Sequence, residues 1–264
     1  MFEIRSCKGM EELDACVRLE TDTWGYDETE VVPRKTFLLA QKIGGQVIGA
    51  FEIQSGEQES RNRAPGELIG FAMSLPGIHS LQGQAVPYLH SHMLAVRPGE
   101  RNRGIGMQLK WTQRHDALSR GIRHMEWTFD PLEIKNAYLN IRRLGAVCRS
   151  YRENFYGVSS SRLQAGLPTD RLLAEWELDS LRVQQAEDGR PAAPQNVEER
   201  IVVPASMERW KSSETDRERA LVVQIENRRR FQQAFARGLA VIGFTRDPEG
   251  NGEFALGYLD GSKL

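Results

Sequence analysis

The chain has no long hydrophobic run and almost no net charge. Its 264 residues include 35 lysines and arginines against 36 aspartates and glutamates, a formal net charge of -1 at pH 7. So even a balance excludes the broad basic surface on which general nucleic-acid or membrane-surface binding depends. No window approaches the apolar length that crosses a bilayer, and Met1-Phe2-Glu3-Ile4-Arg5 lacks the apolar stretch of a secretory leader. Cysteine is scarce: Cys7, Cys16 and Cys148 are odd in number and lack metal-ligand spacing. The expectation is buried, reduced thiols in a cytoplasmic protein that holds no metal. Two phosphate-binding patterns are also missing, Gly-x-x-x-x-Gly-Lys-Ser/Thr and Gly-x-Gly-x-x-Gly. What is present, 40% hydrophobic and 27% charged residues, is enough for a packed core. The length fits one large domain or a medium domain with an extension.

The most informative stretch runs from Leu94-Ala95-Val96 through Arg97-Pro98-Gly99-Glu100 to Arg101-Asn102-Arg103-Gly104-Ile105-Gly106-Met107. An apolar strand ends at Val96, a short basic turn follows, and an amphipathic helix starts near Gly104. This order gathers backbone N–H groups and two arginines at one helix N-terminus, which favours an anion. Gly104 and Gly106 carry no Cβ, so a phosphate can approach their backbone. Arg101-x-x-Gly104-x-Gly106 after a Leu-Ala-Val strand end resembles the acyl-CoA loop of the GNAT superfamily of N-acyltransferases. Tyr88 to Leu94, Phe129 to Leu132, Asn140 to Ala146 and Leu167 to Arg171 are similar to a bacterial branch of that superfamily.

Periodicity predicts a strand over Phe2 to Arg5 and a helix over Met10 to Glu20, with Met10, Leu13, Cys16 and Val17 on one face. Residues 33–44 read either as a helix opened by Pro33 and closed by Gly44, which is preferred, or as one arm of a hairpin at Gly44-Gly45. Strands are predicted over 46–53, 67–74 and 88–96, with 54–66 a loop. A helix follows over 104–120, a strand over 124–130, a helix over 132–143, and strands over 146–152 and 172–178. This β-α-α-β-β-β-α-β-α-β-β order matches the arrangement the resemblance implies. The expected fold is α/β: a mixed central sheet splayed between its fourth and fifth strands, flanked by helices, with a C-terminal helix-hairpin extension. Residues 1–183 would form the acyltransferase domain, 184–199 a linker and 200–264 the extension, with a helix over 213–237 capped by Ser213 or Thr215.

The resemblance implies acetyl transfer from acetyl-CoA, as co-substrate, to an amine by direct attack. Arg101, Asn102, Arg103, Gly104, Ile105, Gly106 and Met107 would hold the pyrophosphate, and Leu94, Ala95 and Val96 the pantetheine. A backbone N–H near Leu94 would face the developing oxyanion. An alkylammonium has a pKa near 10, so a base is required. Strand alternation places His90 and His92 on one face with Leu94 and Val96. His92 stands where many members of the family carry a carboxylate, and is the candidate base. The family tyrosine that protonates the thiolate is replaced by Ile141, and the customary asparagine by Ile134. Tyr138, one turn away, is the fallback acid. Asn136 and Asn140, spaced i, i+4, are candidates for contacts to the pantetheine amides or to CoA. His90, Asp130 and Tyr156 are candidates for the acceptor pocket, and Tyr151 for its lining. The acceptor is expected to be a small-molecule amine or a protein N-terminus, with no nucleic acid or membrane partner; a homodimer is left open. Two alternatives remain: a non-catalytic acyl-CoA-binding sensor or structural module, favoured by Ile141, and a partner-binding role for the tail after Glu199.

Overall fold

Four strands run antiparallel in chain order at the start of the molecule: β1 (Phe2–Ser6), β2 (Gln46–Glu52), β3 (Leu68–Leu81) and β4 (Gln84–Val96). The structure is a computed structural model describing residues 1–53, 66–81 and 83–259. It divides into two units, Met1–Ile122 and Arg123–Leu264. The predicted loop over 54–66 falls almost wholly outside the described residues.

In the first unit, helices α1 (Gly9–Trp24) and α2 (Arg34–Lys42) lie between β1 and β2 in the chain. Pro33 is the N-cap of α2, and Gly44, at φ +95°, follows its end. The segment is therefore a helix and not a hairpin arm. Leu13, Cys16 and Leu19 of α1 and Phe37 and Ala40 of α2 pack with Val47, Phe71, Met73, Met93 and Ala95. Met10, expected on that face, is 47% exposed. A second apolar cluster joins Ile105 and Leu109 of α3 (Ile105–Ser119) to Ile48, Ala50, Ile69 and Ala72, with Leu94 and Val96 beside them. The sheet thus has α1 and α2 on one face and α3 on the other.

Strands β3 and β4 are far longer than the predicted 67–74 and 88–96. Their ladder continues through Pro76 opposite Leu89 and Pro87 opposite Ile78. Proline donates no ladder hydrogen bond, so its presence reads as a strand end in the sequence. Gly77 stands opposite Tyr88, and a Cβ there would come within 2.4 Å of the Tyr88 ring. The ring lies across the glycine and stacks on His79 at 3.9 Å between centroids.

The second unit has the strand order β5-β7-β6-β9-β10-β8, with antiparallel neighbours throughout. These are β5 (His124–Phe129), β6 (Val147–Arg152), β7 (Arg171–Glu177), β8 (Val197–Val203), β9 (Ala240–Arg246) and β10 (Gly252–Gly257). Met125, Trp127 and Phe129 are buried in alternation along β5 as the pattern predicts. Between β5 and β6, α4 (Ile134–Ala137) continues into a π-helical stretch, Tyr138–Arg143. The remaining helices are α5 (Leu181–Glu187), α6 (Met207–Ser212) and α7 (Arg217–Ala236). The single helix predicted over 213–237 is thus α7 alone, preceded by the separate α6, and its N-cap is Asp216. Residues 184–199, expected as a linker, include the end of α5 and the start of β8; only 188–196 lie in neither.

Aromatic packing holds the end of the chain to the second unit's sheet. Phe231 of α7 meets Phe254 at 5.2 Å, and Phe254 meets Phe244 at 4.7 Å, both edge-on. Such pairs add about 0.5–1.5 kcal/mol beyond their buried area. Beneath them, Asp170 is fully buried and accepts hydrogen bonds from Arg228 Nε at 2.8 Å, Arg228 Nη2 at 3.1 Å and the Tyr151 hydroxyl at 2.7 Å. Tyr151, expected to line a pocket, is thereby a core residue, and burial together with the Asp170 hydrogen bond pushes its phenol well up.

Candidate functional site

The glycine-bearing turn has the geometry its sequence predicts. Pro98–Glu100 makes one 3₁₀ turn after β4. Asn102 and Gly104 then adopt left-handed conformations, at φ +64° and +79°. Glycine takes this conformation freely and asparagine tolerates it better than most residues. These two residues reverse the chain, and α3 starts at Ile105. The first i→i−4 bond runs from Gln108 N–H to the Gly104 carbonyl at 3.0 Å. The amides of Ile105 and Gly106 precede it, where a helix has no internal acceptor to offer.

Gly106 is informative because packing does not demand it. A Cβ there would stand 3.7 Å from Leu94 and 3.8 Å from Val96, ordinary contact distances, and its φ is not left-handed. Its bareness therefore keeps space open at the helix N-terminus, the space an approaching phosphate needs. Two arginines flank this space and are held in place. Arg101 Nε donates to the Val96 carbonyl at 3.2 Å, and Arg103 pairs with Glu100. Positive side chains and the positive end of α3 thus converge where the sequence predicts an anion.

Strand β4 departs from the predicted alternation at His92. Met93 pairs with Met73 and Ser91 with Ser74, so two steps along β4 answer one along β3. His92 is the extra residue of a β-bulge, a feature that re-aims side chains. On the far side of it, Leu94 and Val96 lie with α3, and Met93 and Ala95 lie with α1 and α2. On the near side, Ser91 is the residue turned toward α3. His90, the neighbour of Ser91, therefore does not share the face of Leu94 and Val96, and the regular alternation that would join it to His92 is broken. The two imidazoles lie 6.4 Å apart between centroids. The His92 ring reaches solvent at its surface yet is crowded by protein, and this desolvation, with His90 nearby, holds its pKa below the ordinary histidine value. It is consequently neutral at pH 7.

Sequence reasoning missed the residues behind this bulge. Lys110 Nζ donates to Ser91 Oγ at 2.9 Å, and Ser91 Oγ bonds Gln113 Oε1 at 3.1 Å. Gln46 Nε2 donates to the Gln113 carbonyl at 2.8 Å and to Asp116 at 2.7 Å, and Ser74 donates to Gln46 at 2.9 Å. Lys110 is only 2% exposed, and burial pushes its ammonium pKa well down. A signal was present: Lys110 and Gln113 continue the stripe defined by Ile105, Leu109 and Ala117, so polar residues occupy core positions of an amphipathic helix.

In the second unit, the other predicted site residues are engaged in structural contacts. Asp130 Oδ1 accepts from Leu132 N–H at 2.8 Å and Oδ2 from Lys211 Nζ at 2.9 Å; Lys211 also reaches Glu133 at 2.8 Å. Lys211 is 4% exposed, so its pairs with Asp130 and Glu133 are largely shielded from water. Tyr156 bonds Thr128 through its hydroxyl at 2.8 Å, beneath the Arg171 guanidinium. The Arg246 guanidinium lies 5.3 Å from the centre of the Tyr138 ring. Asn136 and Asn140 do not present one face as predicted: Asn136 is exposed in α4, and Asn140 is 5% exposed in the π-helical stretch. The wider π winding, seen in the Leu144 N–H to Leu139 carbonyl bond at 2.9 Å, undoes the i, i+4 stacking of an α-helix. Ile141, at the family tyrosine position, is a core residue.

The model of the acetyltransferase (GNAT) family matches residues 5–138, and the chain belongs to that family. Its α/β fold is that of solved structures. The Arabidopsis thaliana NAA60 structure with a bisubstrate analogue matches with a TM-score of 0.50 and 16% identity, over 67% of this chain and 98% of that one. The ribosomal-protein-S18-alanine N-acetyltransferase from Escherichia coli matches with a TM-score of 0.47 and 16% identity, over 75% of this chain and 100% of its own. A GNAT family acetyltransferase from Elizabethkingia anophelis, with acetyl-CoA bound, gives a TM-score of 0.43 at 16% identity, over 67% and 97%. No curated protein matches the chain. No helix among the described residues is long and apolar enough to cross a membrane.

Proposed function

We propose that the protein is an N-acetyltransferase that moves an acetyl group from acetyl-CoA to an amine by direct attack. The single observation that carries this reading is the N-terminus of α3, where Gly106 leaves open a space that packing alone would let a side chain fill. Arg101, Asn102, Arg103 and the amides of Gly104, Ile105, Gly106 and Met107 would hold the pyrophosphate. The end of β4, Leu94 to Val96, would hold the pantetheine. Bound there, the co-substrate supplies an activated acyl carbon. His92 accepts the proton of the attacking amine, a role its neutral ring suits, because only the free imidazole is a base. Tyr138 is the side-chain acid for the leaving thiolate. We assign residues 1–183 to the transferase domain and 200–264 to an extension of it. The acceptor is an amine of a small molecule or of a protein N-terminus.

Replacing Gly104 and Gly106 together with valine tests the reading. Calorimetric titration of the folded double variant is expected to show no measurable acetyl-CoA binding; wild-type affinity would overturn the loop assignment. A second reading, a module that binds acyl-CoA without turnover, is favoured by the burial of Ile141 at the position of the family acid. Thiol release from acetyl-CoA with a broad amine panel separates the two. Turnover on any amine supports the enzyme, and tight binding with none supports the module.

A further inference from the structure

Strand β4 carries one residue more than β3 can pair, and something must hold the chain on either side of it. Beyond the bulge, Met93 is sunk in the α1–α2 cluster. Before it, Ser91 is tied into α3 by Lys110 and Gln113. We infer that Lys110 is a positioning residue for His92: from inside α3 it grips Ser91, fixes the near side of the bulge and so aims the His92 ring. The inference rests on the reading of His92 as the base.

Lysine is seldom buried completely, because removing its ammonium from water is expensive. Here it occupies a stripe position that leucine or methionine would fill at no such cost. Its amine points at the hydroxyl next to the bulged residue, 2.9 Å away. The same hydroxyl donates its own hydrogen bond to Gln113 Oε1, and the main-chain carbonyl of Gln113 is held by Gln46. Gln46 in turn receives the hydroxyl of Ser74, the residue paired with Ser91. The bulge is thus clamped at Ser91 and Ser74 together through one polar cluster under α3. Without the clamp, Ser91 and His92 are free to exchange places opposite Ser74, which would re-aim the histidine ring.

The test uses the full chain and reads His92 directly. The chain has 5 histidines, and loss of one resonance in His92→Gln assigns the ring by NMR. In Lys110→Met, of similar length but without a donor, and in Ser91→Ala, the His92 ring pKa is expected to rise toward the ordinary histidine value near 6.5. The other histidines remain unchanged, and Ser91→Thr, which keeps the hydroxyl, titrates as wild type. In the same two variants kcat/KM is expected to fall about tenfold, part of the roughly 10²–10⁴-fold that a placed base contributes. Acetyl-CoA affinity stays within about twofold. Identical His92 titration in Lys110→Met, Ser91→Ala and wild type overturns the inference. A shifted titration with unchanged transfer rates leaves the positioning role standing and overturns the reading of His92 as base. Ser91→Ala removes a single oxygen, so the test survives if Lys110→Met does not fold.

Discussion

The two units use charged and polar residues in opposite ways. In Met1–Ile122, the residues that point to chemistry stand at places the packing leaves open: a glycine that need not be one, a turn held by two arginines, a residue of β4 that pairs with none in β3. In Arg123–Leu264, four residues with equal chemical promise, Asp130, Tyr151, Tyr156 and Asp170, are consumed by the architecture. Asp130 is bound by Lys211, Asp170 by Arg228 and Tyr151, and Tyr156 by Thr128. A carboxylate at a strand end is therefore weak evidence for a site until its partners are known. A residue that packing does not explain is stronger evidence.

This contrast breaks most sharply under variants that strike one unit at a time. The largest effect expected is the complete loss of acetyl-CoA binding in the Gly104→Val, Gly106→Val variant. His92→Ala comes next, lowering kcat by about 10²-fold or more in steady-state assays while leaving acetyl-CoA affinity unchanged. Asp130→Asn should leave the pH–rate profile as it is, because the carboxylate serves Lys211. A profile that loses a limb would move Asp130 from architecture to chemistry.

Arg228→Met leaves the Asp170 carboxylate buried without its cation. It should destabilise the fold by about 3–5 kcal/mol in denaturant titration, the usual result of halving a buried pair. Acetyl-CoA affinity measured below the unfolding transition should be unaltered. If affinity fell in parallel, the division of labour between the units would be wrong.

The smallest effects are two pH windows, one in each unit. Glu20 of α1 is fully buried; burial raises its carboxyl to about 7, against the pull of the Val32 N–H bond at 2.9 Å. Its folded pKa exceeds the unfolded value near 4.3, so its contribution is complete below about 4.3 and is lost as pH rises through 7. Burial pushes His124 down, but Glu126 and Glu177 outweigh it and raise the ring to about 9. Its contribution is complete below about 6.5 and is lost as pH rises through 9. Glu20→Gln should flatten the first window and His124→Gln the second, by at most about 3.5 kcal/mol each, in stability measured from pH 4 to 10.

Much of the architecture was legible because its signals are local. Pro33 and Gly44 bound α2, the alternation of Met125, Trp127 and Phe129 marks β5, and the turn from Arg101 to Gly106 declares itself. Three features escaped because they depend on partners distant in sequence. The long β3–β4 hairpin hides behind Pro76, Gly77 and Pro87, which read as breakers until Tyr88 is seen lying across Gly77. The π winding after Tyr138 removes the asparagine face that an α-helical count predicts. The bulge at His92 is invisible to a period-two reading, since only pairing with Met73 and Ser74 reveals the extra residue. Asp130 was singled out for its chemistry, while Lys211, which engages it from 81 positions away, gave no sign of doing so.

A bulge is also an insertion that the rest of the ladder ignores. Because Ser91 already faces Ser74 and Met93 already faces Met73, excising His92 would leave every β3–β4 pair as it is. Elsewhere in β4, removing one residue would slip every pair beyond it and turn core side chains toward the wrong helices. The proposed catalytic position is thus the one place in the β3–β4 ladder where a residue can be lost without shifting a pair. The pairing of β3 with β4 and the identity of the residue at that point can change independently.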